Sequence, residues 1–196
     1  MAEFILLSFL IAATVMLTSA DTPVKNTYAL AKGYTVGIHG TSNLHDWDEN
    51  VVTVTGDGIV DWNGDANFDL NAMNITMVVS SIKSTEGSMM DKNTYKALKA
   101  DDHPDITFVL MAPVKSIQVG THVIAAKINL TIAGVTKAID MPVTATAVAH
   151  GNISFEGSKA IKMTDYGITP PVALFGTMKT GDEITIKFKT VFAISK

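Results

Sequence analysis

The stretch His122–Ala149, HVIAAKINLTIAGVTKAIDMPVTATAVA, decides the fold class of this chain. Ile128 and Leu130 share one face of an extended segment, because successive side chains of a β-strand point to opposite sides. Gly134 then permits a tight turn that reverses the chain into a second extended segment beginning at Ala138. The stretch therefore predicts two neighbouring antiparallel strands.

The same alternation of apolar and polar residues recurs along the rest of the chain. Thr, Val and Ile are frequent, and one face of several runs is polar, which is typical of antiparallel sheet. Eight runs are predicted to be strands: Tyr34–Thr41, Val51–Trp62, Asn67–Val79, Ile106–Ser116, His122–Ile132, Ala138–Ala149, Asn152–Lys162 and Glu183–Ile194. Asn63–Asp65 and Ala149–Asn152 supply the Gly and Asn that hairpin turns favour.

Eight antiparallel strands favour a closed up-and-down barrel, because closure removes the unpaired edges of a sheet. The expected fold class is therefore all-β, an eight-stranded antiparallel barrel. A barrel of this size is just wide enough to be filled by its own side chains or to enclose one small ligand. The bulky run Met73–Val79 suits an adaptable apolar lining, because Met is flexible, but an ordinary packed core with Met as filler remains open.

Two segments interrupt the strands. Ser88–Ala100, SMMDKNTYKALKA, places Tyr95 and Leu98 near one helical stripe and predicts a helical insertion near residues 88–100. Thr169–Gly176 predicts a short helix or turn near residues 169–176, because Thr can cap a helix, Pro suits its first turn and Gly suits its exit.

The composition excludes several classes of function. The chain has 196 residues, which fits one domain, and a net charge of −4, and all 15 of its basic residues are Lys. Without a basic surface or Arg, nucleic-acid binding is not expected. The absence of Cys excludes disulfides, thiol nucleophiles, iron–sulfur clusters and a lipidated N-terminal cysteine.

The N-terminal segment is predicted to be a signal peptide. Phe4–Leu17 is an apolar run of 14 residues, which is short for a membrane span of about 20 but typical of a signal-peptide core. Thr18 and Ala20 suit a cleavage site before Asp21. The lack of Lys or Arg before the apolar run is atypical, and an uncleaved anchor or a buried first helix are the alternatives. The expected organisation is a signal peptide (1–20), a lead-in (21–33) and a barrel domain (34–196) of a periplasmic or secreted protein.

Seven short motifs follow one another in the order and spacing of a known family: Lys83–Thr85 (KST), Met90–Asp91 (MD), Leu98–Ala100 (LKA), Pro104–Phe108 (PDITF), Leu130–Lys137 (LTIAGVTK), Met141–Val143 (MPV) and Met163–Ile168 (MTDYGI). From Tyr34 to Ile194 the chain resembles the YceI-like family. The resemblance implies an exported bacterial protein whose lipocalin-like barrel holds a polyisoprenoid or a related long-chain amphiphile. His39–Trp47, HGTSNLHDW, departs from many members and resembles a subgroup form, so the ligand headgroup need not be treated as it is in other members.

The resemblance and the apolar stripes together suggest the ligand-binding residues. The expected apolar lining is Met73, Ile75, Met77, Tyr95, Leu98, Phe108, Leu174 and Phe175. The expected mouth residues are His39, His45 and Trp47. The sequence does not determine which face of each strand points inward, since a shift of one residue inverts a whole stripe.

No catalytic or metal-binding residues are predicted. His39 and His45 lie six positions apart, and no third ligand is indicated at a suitable spacing. Ser42, Ser80 and Ser81 lack the G-x-S-x-G elbow of an esterase, and the acidic run DDHPD is explained by a solvated turn.

The sequence therefore predicts an exported, non-enzymatic protein that carries a long-chain polyisoprenoid, quinone precursor, fatty acid or amide and needs no cofactor. The alternative is a structural or stress-related interaction module whose barrel is filled by its own side chains. The mature chain is not expected to span a membrane, because an outer-membrane barrel needs aromatic girdles and the aromatic content is 7%. Homodimer formation is left open.

Overall fold

The computed structural model describes residues 24–173 and 176–195. The predicted signal peptide lies outside the described residues, as do Leu174 and Phe175 of the expected lining. The described strands are β1 (Val24–Leu30), β2 (Thr35–Ser42), β3 (Asp46–Val51), β4 (Val54–Asn63), β5 (Asn67–Val78), β6 (Ile82–Ser84), β7 (Asp105–Leu110), β8 (Val114–Gln118), β9 (Gly120–Ile132), β10 (Val135–Ala147), β11 (Ile153–Lys162), β12 (Val172–Ala173) and β13 (Met178–Ile194). One helix, α1 (Ser88–Ala97), and two 3-10 turns, Val79–Ser81 and Met163–Tyr166, complete the described elements.

The strands form a closed antiparallel ring. Its order is β1, β4, β5, β7, β9, β10, β11 and β13, and β13 pairs again with β1. Four strands of the barrel wall are each divided in two by a short interruption. The divided pairs are β1 and β2 (interrupted at residues 31–34), β3 and β4 (52–53), β5 and β6 (79–81), and β7 and β8 (111–113). The prediction of an all-β, eight-stranded antiparallel barrel is confirmed.

Strand β1 lies within the segment expected to be only a lead-in. It pairs with β4 along six residues and with β13 along three, and thereby completes the ring. The sequence VKNTYAL did not predict this strand, because Tyr28 is its one fully buried side chain among those described and the alternation of apolar residues is weak.

One half of the barrel is filled by its own aromatic side chains. The Trp62 indole Nε1 donates a hydrogen bond of 3.0 Å to the Tyr28 hydroxyl, which donates one of 3.0 Å to the Gly151 carbonyl. The Trp62 ring lies 4.9 Å from that of Phe68, and Phe192 is 1% exposed. We call this region, defined by Tyr28, Trp62, Phe68 and Phe192, the closed half. The two predicted hairpin turns, between β4 and β5 and between β10 and β11, lie at this end and are confirmed.

Helix α1 lies at the opposite end and is fastened to β6. The Asp91 carboxylate accepts hydrogen bonds from the Ser84 amide (2.8 Å) and the Lys83 ammonium group (3.1 Å). The predicted helical insertion is confirmed, but the helix ends at Ala97, because Lys99 adopts a left-handed conformation (φ 53°) that breaks the helical hydrogen-bond pattern.

Residues 169–173 contain no helical turn and end in the extended strand β12, whereas Gly176, where the described chain resumes, is assigned to a 3-10 turn. Val172 and Ala173 of β12 pair with Lys179 and Met178 of β13, so the chain reverses here as a hairpin, in agreement with the turn alternative. The predicted short helix or turn near residues 169–176 is therefore confirmed as a reversal of the chain.

Candidate ligand-binding cavity

A cavity of about 140 Å³ occupies the half of the barrel nearer to α1. Its wall is formed by inward-facing side chains of the barrel strands, together with one side of α1 and the 3-10 turn at Met163–Tyr166. Representative aliphatic and aromatic wall residues are Val36, Ile38, Leu70, Leu130, Met141, Phe155, Ile184, Ile186 and Phe188. The aromatic residues that define the closed half are not part of the wall, so the cavity ends where that packing begins.

The alternation of residues along each strand determines which side chains reach the cavity. In β13, Ile184 and Ile186 line the wall, whereas Lys187 lies between inward-facing positions and points outward. Gly157 of β11 lies directly opposite Phe188, and a Cβ atom at Gly157 would lie 2.7 Å from the Phe188 ring. The absence of a side chain at Gly157 thus leaves room for the aromatic ring.

The structure places five of the expected lining residues in the wall: Met73, Ile75, Met77, Leu98 and Phe108. The first three alternate along β5, and Leu98 directly follows α1. Leu174 and Phe175 lie in the short gap between the two described ranges.

Tyr95, which the sequence analysis assigned to the lining, does not reach the cavity wall. Its hydroxyl accepts a hydrogen bond of 2.6 Å from the Lys83 ammonium group and lies 2.8 Å from the carbonyl oxygens of Ser80 and Ile82. The phenol therefore turns toward β6, because its polar end finds partners there that an apolar cavity cannot offer.

The three expected mouth residues lie on different sides of the wall. Trp47 points inward, lines the cavity and is 8% exposed. His39 points outward, and its Nδ1 lies 2.9 Å from the Asp48 carboxylate. His45 is exposed, with its Nδ1 2.8 Å from the Asp46 carbonyl oxygen, so neither histidine contacts the cavity.

Gly40 explains how the Trp47 ring fits inside the barrel. The two residues are directly opposite each other on β2 and β3, and a Cβ atom at Gly40 would lie 2.2 Å from the indole ring. The ring consequently lies close to the β2 backbone at Gly40, and its Nε1 donates a hydrogen bond of 3.2 Å to the Thr41 carbonyl oxygen.

Two ionisable side chains lie in the described part of the wall, and the sequence analysis missed both. Glu49 is 2% exposed, and its carboxylate accepts a hydrogen bond from the Thr94 hydroxyl of α1. Burial raises the pKa of Glu49 above its ordinary value, and the hydrogen bond from Thr94 opposes this shift in part. The available signal was spacing, because Glu49 shares the inward face of β3 with Trp47 and Val51.

Tyr166 is the second of these residues. Its side chain is 1% exposed, and its hydroxyl has no hydrogen-bond partner among the residues that the structure describes. Burial raises the pKa of Tyr166. The hydroxyl oxygen is itself fully buried, so a polar atom of a ligand could pair with it only if the wall shifts.

The described ranges contain no group of three or more His, Asp or Glu side chains arranged to hold a metal ion. Within the same ranges, no helix is both long enough and apolar enough to cross a bilayer.

The sequence model of the YceI-like domain matches residues 31–192, which is most of the chain. No curated protein matches the sequence significantly.

Several solved structures share the fold. A polyisoprenoid binding domain from Saccharophagus degradans, implicated in plant cell wall breakdown, has a TM-score of 0.67 at 13% identity, covering 86% of this chain and 98% of that one. BcnA of Burkholderia cenocepacia has a TM-score of 0.61 at 20% identity, with coverages of 81% and 95%. A YceI protein of Campylobacter jejuni has a TM-score of 0.57 at 22% identity, with coverages of 76% and 84%. At these identities the likeness shows the fold alone.

Proposed function

The chain belongs to the YceI-like family, and on this premise we propose that it is a lipid-binding protein that holds one long apolar chain inside its barrel. The observation that carries the proposal is the cavity inside the barrel with its almost entirely aliphatic and aromatic wall. Transfer of each CH₂ group from water into such a site is favourable by about 0.8 kcal/mol. The neighbour from Saccharophagus degradans, described as a polyisoprenoid binding domain, supports a ligand of this class.

The size of the cavity implies that the wall adapts when a ligand binds. Its volume of about 140 Å³ is close to that of an engineered core cavity, about 150 Å³, that binds benzene. A long chain needs more space. Five methionines line the wall, namely Met73, Met77, Met90, Met141 and Met163. Their unbranched side chains can change rotamer at low cost, so we infer that they move aside as the ligand enters.

A carrier role accounts for the cavity better than a barrel filled by its own side chains. The closed half is filled in that manner, but the half nearer to α1 is not. A carrier also needs no reacting group, so we propose a binding protein and not an enzyme. We further propose export to the periplasm or the medium, supported by the apolar segment Phe4–Leu17.

The experiment is organic extraction of natively purified protein, followed by mass spectrometry of the extract. We expect one long-chain lipid per chain, or stoichiometric uptake of added oleyl alcohol by delipidated protein. Ala126 lines the cavity and its neighbour Ala125 faces outward, so Ala126→Trp should abolish uptake and Ala125→Trp should not. Failure to recover any lipid, together with no uptake of prenyl or acyl chains, would contradict the proposal.

A further inference from the structure

We propose that Glu49 makes the cavity select lipids with an uncharged, oxygen-bearing headgroup, such as a long-chain alcohol or amide, over carboxylates and phosphates with the same chain. This inference rests on the proposed lipid-binding function and specifies the ligand class. It assigns a role to a side chain that lies within the cavity wall.

The position of Glu49 places a hydrogen-bonding group inside an otherwise apolar wall. One carboxylate oxygen accepts a hydrogen bond from Thr94. The structure shows no hydrogen bond from a described residue to the other oxygen, and this oxygen is not among the fully buried unpaired atoms, so it has access to the cavity. A polar atom that faces an apolar cavity without a partner is unfavourable, so a ligand atom that pairs with it is bound more tightly. The wall therefore favours a ligand with a polar end over a plain hydrocarbon.

The charges around Glu49 argue against an anionic headgroup. No Lys or His lies in the described part of the wall. Lys83 lies on β6, the strand that pairs with β3, and its ammonium group is already paired with Asp91 at 3.1 Å and with the Tyr95 hydroxyl at 2.6 Å. A carboxylate or phosphate that entered the cavity would lose its water without gaining a counter-ion and would face a second acid.

An uncharged oxygen-bearing headgroup suits the Glu49 carboxyl. Because burial raises the pKa of Glu49, its carboxyl stays protonated to higher pH than usual and can donate a hydrogen bond to a hydroxyl or carbonyl oxygen.

The test compares four probes with one common chain: oleyl alcohol, oleamide, oleate and oleylamine. Binding to delipidated protein is measured by calorimetry at a pH where oleate is ionised. We expect the alcohol and the amide to bind at least roughly tenfold more tightly than oleate, a difference of about 1.4 kcal/mol. In Glu49→Met, which keeps a side chain of similar length but removes the hydrogen-bonding carboxyl, this preference should shrink toward equality, whereas Glu49→Gln, whose uncharged amide can still donate to a headgroup oxygen, should retain the preference. Glu156→Gln, at an exposed site, should leave it unchanged.

Each other outcome identifies which claim fails. Equal affinity for oleate and oleyl alcohol in the unaltered protein would overturn the headgroup inference and leave the lipid-binding proposal intact. Tightest binding of oleylamine, lost in Glu49→Gln, would overturn it in favour of a charged carboxylate that binds amines. A lack of binding by all four probes would contradict the lipid-binding function itself.

Discussion

Substitution of Ala126 by Leu should make the protein more stable and, at the same time, a weaker binder. Ala126 is 6% exposed and lines the cavity beside Met141. The Leu side chain adds three carbon groups to the empty space, and at about 0.8 kcal/mol each they stabilise the ligand-free protein by about 2.4 kcal/mol. Filling the whole cavity of about 140 Å³ would stabilise the protein by roughly 3 kcal/mol at about 24 cal/mol per Å³, so the gain expected from Leu stays below this upper limit.

The same three groups occupy space that a ligand would otherwise fill. A bound chain then buries about three fewer groups, which weakens binding by about 2.4 kcal/mol, or roughly 50-fold in dissociation constant. Urea unfolding of delipidated protein measures the first effect, and calorimetric titration with oleyl alcohol measures the second.

Two neighbouring alanines provide matched controls. Ala125→Leu, on the outward face of the same strand, should change neither quantity appreciably. Ala145 is 1% exposed but lies outside the cavity wall, so Ala145→Leu should overpack the interior and lower the free energy of unfolding by about 1–3 kcal/mol. If Ala126→Leu destabilises the protein as much as Ala145→Leu and leaves affinity unchanged, the cavity is not the space that a ligand uses.

Three further measurements test the electrostatics and the geometry of the wall. Burial raises the pKa of Glu49 in the folded protein above its value in the unfolded chain. The stabilisation that results is fully present below the unfolded-state pKa, and it is lost as pH rises through the folded-state pKa. Gln does not titrate, so the urea midpoint of Glu49→Gln, compared with that of the unaltered protein at the same pH, should rise between acid and neutral pH. The pKa of Asp91 is instead lowered, chiefly by the hydrogen bond from the Ser84 amide. Asp91→Asn should therefore have a lower urea midpoint than the unaltered protein at neutral pH. The two midpoints should converge as pH falls through the folded-state pKa of Asp91. Oleyl alcohol should shift the fluorescence of Trp47 in a Trp62→Phe variant but leave that of Trp62 unaltered in Trp47→Phe, since only the first ring lines the cavity.

The barrel could be predicted because apolar and polar residues alternate along strands that have one face exposed to solvent. Ile184, Ile186 and Phe188 alternate with Thr and Lys, and the structure places all three in the cavity wall. Strand β1 could not be predicted in the same way, because Lys25 and Asn26 interrupt the apolar pattern and its pairing comes from distant segments.

The candidate site could be predicted only in part, because it depends on which way each side chain points. Alternation around Trp47 separates this inward residue from the outward His39, a distinction that proximity in sequence does not reveal. Tyr95 has the spacing of a lining residue, but hydrogen bonds to β6 turn it away. Glu49 stands among acidic residues that look uniformly solvated, and only its spacing from Trp47 and Val51, which are buried on the same face of β3, indicates that it points inward.

The ring closes through β13, which pairs with β11 on one side and with β1 and β2 on the other. Its partners in β1, from Tyr28 to Leu30, lie at the other end of the described chain. Contacts between segments so distant in sequence form slowly, because a long loop must be ordered before they contribute. Docking of β13 should therefore be the last step of folding. Until β13 docks, the partly folded sheet has two unpaired edges that can pair with other chains. The protein should therefore be most prone to aggregation just before this step.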